Sequence, residues 1–253
     1  MPALVFVLQK IYQRSKKNHN GHYLLCVEFL IHMGKTVNLI GATGLVGNAL
    51  LHQLLAGNLA EKVRVFTRRP TGVTHPRLEE HTIDFSDVRQ YRDLLRGDVL
   101  FSTLGTTRKK AGSKAAQYLV DYTYQWNFAR IAAENGIMGY GLVSSAGANA
   151  GSAFFYPRIK GELDDAVQKL PFRNCTILRP SILDGERKEI RRAEKMGLFL
   201  TRVFTKRIFR EYRPIHADIV AKALIQSSLI NPVDGVRLVE TDEIFILAGE
   251  KQN

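Results

Sequence analysis

Thr36-Val37-Asn38-Leu39-Ile40-Gly41-Ala42-Thr43-Gly44-Leu45-Val46-Gly47 is the stretch that decides the fold. Its first five residues are short, mostly apolar and uncharged, and they stop at glycine. That is the pattern of a parallel strand buried on both faces. From Leu45 to Leu55 apolar residues recur at helical spacing. Gly41, Gly44 and Gly47 therefore sit at a strand-to-helix junction. There the first glycine allows a tight turn, the second a close approach of backbone to a pyrophosphate, and the third close helix–strand packing. The free N–H groups and partial positive charge of the helix start favour an anion. A glycine pattern alone also fits an ordinary strand–helix turn, so the rest of the chain has to support the reading.

Outward from this junction, strands alternate with helices. The pattern predicts strands over Lys62 to Thr67, Glu80 to Asp84 and Asp98 to Leu104, the last closed by Gly105. Ser86-Asp87 is placed to cap a helix. A long helix runs from Ala115 to Glu134 and stops at Asn135-Gly136. A fifth strand over Met138 to Val143 leads into Ser144-Ser145. Phe155 to Leu170 is helical up to Pro171, and Cys175 to Leu178 is a sixth strand before Arg179-Pro180. A helix over Ala217 to Leu229 follows, with weak strand signals near Val236 and Phe245. The fold class expected is α/β: a Rossmann-type, doubly wound parallel sheet with helices on both faces and a small C-terminal substrate-side region. No repeat or Pro/Gly-rich linker divides the chain.

The 253 residues are 45% hydrophobic and 24% charged, enough for one sizeable core and too apolar for disorder. The domain is expected over 33–253. Met33 directly precedes the first strand and reads as its start. Residues 1–32 are then either a non-native appendage or a real basic, amphipathic arm. Ala3 to Leu8 is apolar but too short to span a membrane, so no stable membrane insertion is expected. The net charge of +12 asks for an anionic partner. The phosphates of a small-molecule cofactor meet that need, and no nucleic acid is expected. Cys26 and Cys175 imply neither a disulfide framework nor a zinc knuckle, and a cytoplasmic location is expected. His19, His22, Cys26 and His32 have spacings that could hold zinc, but no supporting partner is evident and no metal is expected. A monomer and a homodimer are both open.

Two further groups carry chemistry. Thr67-Arg68-Arg69-Pro70 ends the second strand, where an arginine pair can hold an adenosine 2′-phosphate; a solvated basic turn is the alternative. Asp84-Phe85 is placed to flank an adenine. Tyr156 and Lys160 stand four apart on one helical face. A nearby ammonium lowers the pKa of a phenol, which readies it to exchange a proton with a carbonyl or alcohol oxygen. A serine at the end of the fifth strand can bond that oxygen; Ser144 and Ser145 should face opposite ways, and Ser145 is preferred. Spacing alone means little, because Tyr12 and Lys16 match it before the first strand. The segment Arg187 to Arg213 interleaves Arg and Lys with apolar residues. It reads as a basic helix covering the pocket, or as a surface for a membrane or an acidic partner. Trp126, Tyr122 and Tyr124 read as core or helix-interface aromatics.

Together these residues resemble the short-chain dehydrogenase/reductase superfamily, and within it the atypical branch typified by the Tat-interacting-protein oxidoreductases. Leu104-Gly105-Thr106-Thr107-Arg108-Lys109-Lys110-Ala111-Gly112 is similar to that family's L-G-T-T-R-x-K-A-G segment. Arg68-Arg69, Ser144-Ser145-x-Gly147-Ala148, Tyr156-x-x-x-Lys160-Gly161-Glu162 and Leu178-Arg179-Pro180 add to it. The similarity runs from about Thr36 to Arg191 and then fades. It implies a Rossmann fold that binds NADP(H) in preference to NAD(H), through Gly41, Thr43, Gly44, Leu45, Val46, Gly47, Arg68, Arg69, Leu104 and Gly105. Leu183 and Arg191 are implied more loosely. Tyr156 would give or take the proton, while Lys160 would hold the nicotinamide ribose and tune Tyr156. The expected activity is NADP(H)-dependent oxidoreduction of an unidentified carbonyl or alcohol. An NADP(H)-binding redox sensor without turnover is the first alternative, since the family includes proteins discussed mainly as regulators. Nucleotide-sugar epimerase or dehydratase chemistry is the second, disfavoured by the short C-terminal region.

Overall fold

The computed structural model describes residues 34–184 and 213–250. Nine strands appear there: β1 (Lys35–Ile40), β2 (Ala60–Thr67), β3 (Leu78–Thr82), β4 (Val99–Ser102), β5 (Gly139–Val143), β6 (Asn174–Arg179), β7 (Leu183–Asp184), β8 (Ile215–His216) and β9 (Gly235–Glu240). Seven make one sheet in the order β3-β2-β1-β4-β5-β6-β9, every neighbouring pair parallel. The two-residue strands β7 and β8 pair separately. The helices are α1 (Leu45–Ala56), α2 (Arg108–Ala111), α3 (Lys114–Tyr118), α4 (Tyr124–Glu134), α5 (Phe155–Val167), α6 (Ala217–Ile225) and α7 (Thr241–Leu247).

The helices cover both faces of the sheet, which is why the central strands carry apolar residues on both sides. One face buries Leu50, Leu51 and Leu54 of α1 with Val220 and Leu224 of α6. The other buries Phe128 and Ile131 of α4 with Leu163 of α5, against Ile40, Leu100 and Leu142 of the sheet. Tyr91 and Phe128 stack there with ring centroids 4.0 Å apart. From β1 the chain winds outward to β2 and β3, then returns to place β4 on β1's other flank. The direction of winding reverses at β1/β4. In such sheets the crevice outside the strands' carboxyl ends at that reversal is where ligands bind.

Three expectations are corrected. Phe245 lies in helix α7, not in a strand: Glu240 leads into it, and Ile244, Phe245 and Ala248 pack into the core from helical positions. The third strand lies two residues earlier than expected, at Leu78–Thr82. The long helix is not uniform, because a π-helical turn over Leu119–Thr123 joins α3 to α4. The extra residue leaves carbonyls without their usual partners, and the buried amide of Gln125 supplies them, donating to Val120 O at 3.3 Å and to Asp121 O at 2.9 Å. Gln125 Oε1 accepts from Ser102 Oγ at 2.7 Å, which ties the π turn to β4. Residues 1–32, with their candidate metal ligands, lie outside the described residues. So does the basic segment except Arg213, whose guanidinium sits over the Phe245 ring at 3.5 Å.

The β2–β3 edge is clasped by charge. Arg64 donates to both oxygens of Glu79, at 2.8 and 3.1 Å, and Lys62 and His81 join it. The Arg64 hydrogen bonds lead the causes that hold the Glu79 carboxyl at about 2, against an ordinary 4.5. A folded pKa below the unfolded one gives stability that is present above about pH 4.5 and lost as pH falls through 2. Glu79→Gln should therefore lower the melting temperature at pH 7, modestly because the pair is part-exposed, and the difference from wild type should shrink to nothing as pH falls from 4.5 towards 2.

Candidate dinucleotide and proton-transfer site

The glycine turn lies at the carboxyl end of β1. Gly41 has φ +90°, the left-handed region, and a Cβ there would meet Thr103 Oγ1 at 2.6 Å. Thr103 caps the strand end instead, donating from N and Oγ1 to Ile40 O at 3.0 and 2.9 Å. Gly44 N–H donates to Gly41 O at 2.9 Å and closes the turn. Gly44 is the N-cap of α1, with no side-chain cap and no acid in the first turn. The first amides of α1 are thus left for an anion rather than taken by the protein. Thr43, Gly44 and Leu45 are exposed, whereas the Val46 side chain is buried in the core and can offer only its backbone.

Arg68 and Arg69 are exposed just past β2, whose Phe66 pairs with Ile40 of β1, so they flank the glycine turn. Neither guanidinium meets a carboxylate among the described residues. Leu104 and Gly105 follow β4 on the other side of β1, Leu104 half-buried and Gly105 exposed. Phe85 is core, tilted against Tyr124 and Phe128 at 5.8 and 5.4 Å, so its ring is not free to flank an adenine. Tyr122, Tyr124 and Trp126 pack against the same core. Leu183, in β7, packs on the first core layer. Arg191 lies outside the described residues.

At the next carboxyl end, β5 runs into Ser144-Ser145. Ser144 is buried near Asp164, and Ser145 lies near the Tyr156 hydroxyl with its Oγ donating to Ala146 O at 3.3 Å. Tyr156 and Lys160 share one face of α5. A Cβ on Gly161 would come within 2.2 Å of Ala150 N, so this glycine lets the loop after β5 lie directly on α5 beside them. Lys160 is 2% exposed and donates from Nζ to Val143 O at 3.2 Å. Burial lowers its pKa, opposed by the anions Asp121 and Asp164.

The lowered phenol pKa expected of Tyr156 is not found, and Lys160 is not among the groups that shift it. Burial of the hydroxyl, with Asp121 beside it, pushes the phenol up to about 12, although 41% of the residue remains exposed. The ammonium is engaged by the β5 carbonyl, and two carboxylates face the same pocket. Asp164 itself is answered by Arg179, whose Nε donates to it at 2.9 Å. Asp121, Asp164 and Thr103 were not singled out from sequence. Asp164 carried a signal, four residues beyond Lys160 on the same face. Asp121 carried only that of an acid within an aromatic, helical run.

The residues present suit a dinucleotide: an uncapped helix start, a turn closed to any side chain at Gly41, and two exposed arginines beside it that meet no carboxylate among the described residues. Residues 41–206 match the family described as NAD(P)H-binding. The chain belongs to that NAD(P)H-binding family. Its relatives include "Protein fmp52, mitochondrial" of Aspergillus clavatus, 32% identical over 223 residues that span 84% of this chain and 94% of that one. The Candida albicans protein FMP52, also named mitochondrial, is 38% identical over 156 residues, 60% of this chain and 68% of its own. A short-chain dehydrogenase/reductase superfamily protein from Agrobacterium tumefaciens, solved with bound NAD, superposes with a TM-score of 0.63 at 14% identity, covering 82% of this chain and 78% of that one. A UDP-glucose 4-epimerase from Thermotoga maritima gives 0.60 at 14%, covering 86% and 84%. These two show the shared fold of this NAD(P)H-binding protein. The mitochondrial names of the fungal relatives overturn the cytoplasmic location expected from cysteine usage. Among the described residues, no helix is long and apolar enough to cross a membrane.

Proposed function

We propose that the chain is an NADP(H)-dependent oxidoreductase that interconverts a carbonyl and an alcohol, in a mitochondrial setting like its fungal relatives. The observation that carries this reading is the convergence of Ser145, Tyr156 and Lys160 at the end of β5, two strands from the glycine turn. The residues that would hold the cofactor line the β1/β4 crevice. Gly41, Thr43 and Gly44 would shape the turn around its phosphates and the amides of Leu45, Val46 and Gly47 would bind them, with Leu104 and Gly105 beside its nicotinamide half. Leu183 and Arg191 would be further contacts to the cofactor. Bound there, the nicotinamide supplies or takes the hydride. Ser145 Oγ donates a hydrogen bond to the substrate oxygen, and the Tyr156 hydroxyl gives that oxygen its proton. A phenol near 12 is fully protonated at neutral pH, so it begins as an acid, which suits carbonyl reduction. Lys160 would hold the ribose hydroxyls. Residues 33–253 form the catalytic domain.

The test is purified full-length chain with NADPH and a panel of carbonyl compounds, followed at the nicotinamide absorbance. Oxidation of NADPH supports the reading; tight binding without turnover on any carbonyl overturns it in favour of a sensor. Cofactor choice has its own test. Charge-assisted hydrogen bonds contribute about 1.5–3 kcal/mol each, so Arg68→Ala and Arg69→Ala should each weaken NADPH roughly 10- to 150-fold and leave NADH unchanged. Equal wild-type affinities for NADPH and NADH would remove the 2′-phosphate role from both arginines.

A further inference from the structure

Arg68 and Arg69 are exposed, yet the backbone that carries them is fastened at both ends by side chains closer to the core. Thr67 is the last residue of β2 and only 5% exposed. Its carbonyl accepts Ile83 N–H at 2.9 Å, which carries the β2–β3 pairing to the end of the strand. Its hydroxyl reaches forward over the arginines. Oγ1 donates to Arg69 O at 2.8 Å and accepts from Arg69 N–H at 3.4 Å. Pro70 restricts Arg69 further, because its ring disfavours the helical region for the residue before it. Beyond the proline, Glu80 of β3 catches Thr71. Glu80 Oε2 accepts Thr71 N–H at 3.0 Å and the Thr71 hydroxyl as well. Thr71 Oγ1 also accepts Val73 N–H at 3.3 Å. The Glu80 carboxylate is thus engaged by the turn's threonine rather than by its arginines.

We propose that Thr67 and Glu80 are positioning residues for cofactor choice: they set the shape of the turn after β2 before a ligand arrives, so that Arg68 and Arg69 meet the adenosine 2′-phosphate with little left to order. The proposal rests on the reading of these arginines as the 2′-phosphate site. Its physical basis is preorganisation, since binding that must first order a loop loses affinity. An arginine side chain gives up rotamer freedom when it pairs with a phosphate, and a loose backbone would add its own loss. Here the residues on either side of the pair are tied by hydrogen bonds to β2 and β3. Only the two guanidiniums then remain to be ordered. The Thr67 hydroxyl is directed at a backbone carbonyl and Glu80 Oε2 at Thr71, so both act through the turn and neither has to touch the ligand. Loosening either one should therefore weaken ligands that carry the 2′-phosphate and spare those that lack it.

The probes are adenosine 2′,5′-bisphosphate and adenosine 5′-monophosphate, which differ only in the 2′-phosphate. Their binding to the full-length chain is measured by calorimetry, so no turnover is needed. Wild type should prefer the bisphosphate. Thr67→Val keeps the branched shape and removes the hydroxyl. It should weaken the bisphosphate by about two- to tenfold, the effect of one neutral hydrogen bond, and leave the monophosphate unchanged. Glu80→Ala should act in the same direction. Glu80→Gln, whose amide oxygen still accepts Thr71 N–H, should recover part of that loss. Equal weakening of both probes overturns the proposal, because Thr67 and Glu80 then only support the strand ends. An unchanged preference in Thr67→Val and Glu80→Ala overturns it too. If Arg68→Ala abolishes the preference in that same series, the 2′-phosphate reading survives the failure. A wild type without preference for the bisphosphate removes both. Should Glu80→Ala fail to fold, Thr67→Val decides alone.

Discussion

Tyr156→Phe is expected to lower carbonyl turnover by roughly 10²–10⁴-fold, the usual contribution of a positioned proton donor. The substitution removes one oxygen from a ring that is 41% exposed, so neither the fold nor helix α5 should change. NADPH affinity should fall by no more than about tenfold, the effect of one neutral hydrogen bond. That contrast separates a chemical role from a binding role, because an interaction made only in the transition state lowers kcat and kcat/KM together. The pH profile adds a second signature. The wild-type reduction rate should be flat through neutrality, since the phenol holds its proton until about 12. Steady-state rates from pH 6 to 10, with each variant's NADPH affinity measured separately, check both. Turnover within threefold of wild type in Tyr156→Phe would remove the tyrosine from the reaction.

The parts of this molecule that were legible in its sequence are those set by local pattern. Val37, Leu39 and Ile40 make a buried strand wherever they pair, and Gly41 marks its end regardless of the surroundings. Alternation of such runs with helical spacing was enough for a parallel, doubly wound sheet. What escaped depends on residues far apart in the chain. Lys160 is four residues from Tyr156, so the sequence argued for a lowered phenol pKa. The residue that opposes it, Asp121, lies 35 positions upstream and is brought in by a π turn that disturbs the apolar spacing too little to see. Phe245 read as a strand because its apolar neighbours, Ile244 and Ile246, are β-branched or flexible in their preference. Tertiary packing of Ile244 and Ala248 on the core decided for a helix. Cysteine count suited a reducing compartment, but compartment is set by sorting, which composition does not encode.

Gly47→Ala is expected to lower the melting temperature by roughly 6–12 °C and to abolish NADPH binding in the surviving fold. A Cβ at this position would lie 2.1 Å from Gly41 O, 2.6 Å from Gly41 C and 2.6 Å from Thr103 Oγ1. Two of those atoms are backbone, so no rotamer change relieves the overlap. Helix α1 must move away from β1, or the turn must open. Overpacking a well-packed core costs about 1–3 kcal/mol, and a clash with backbone falls at the upper end. For a domain of this length each kcal/mol is about 2–4 °C, which gives the range stated. The binding loss follows from the same displacement. The amides at the start of α1 bind an anion only while the turn holds them at one distance from it, and Gly44 N–H is anchored to the very carbonyl that the new methyl would strike. Gly72→Ala is the control. It too has positive φ, at +77°, but a Cβ there meets nothing within 4 Å, so it tests backbone strain without the clash. Calorimetry and NADPH titration of both variants check the argument. A Gly47→Ala protein that melts with Gly72→Ala and still binds NADPH would show that the third glycine of the turn is not there for close packing.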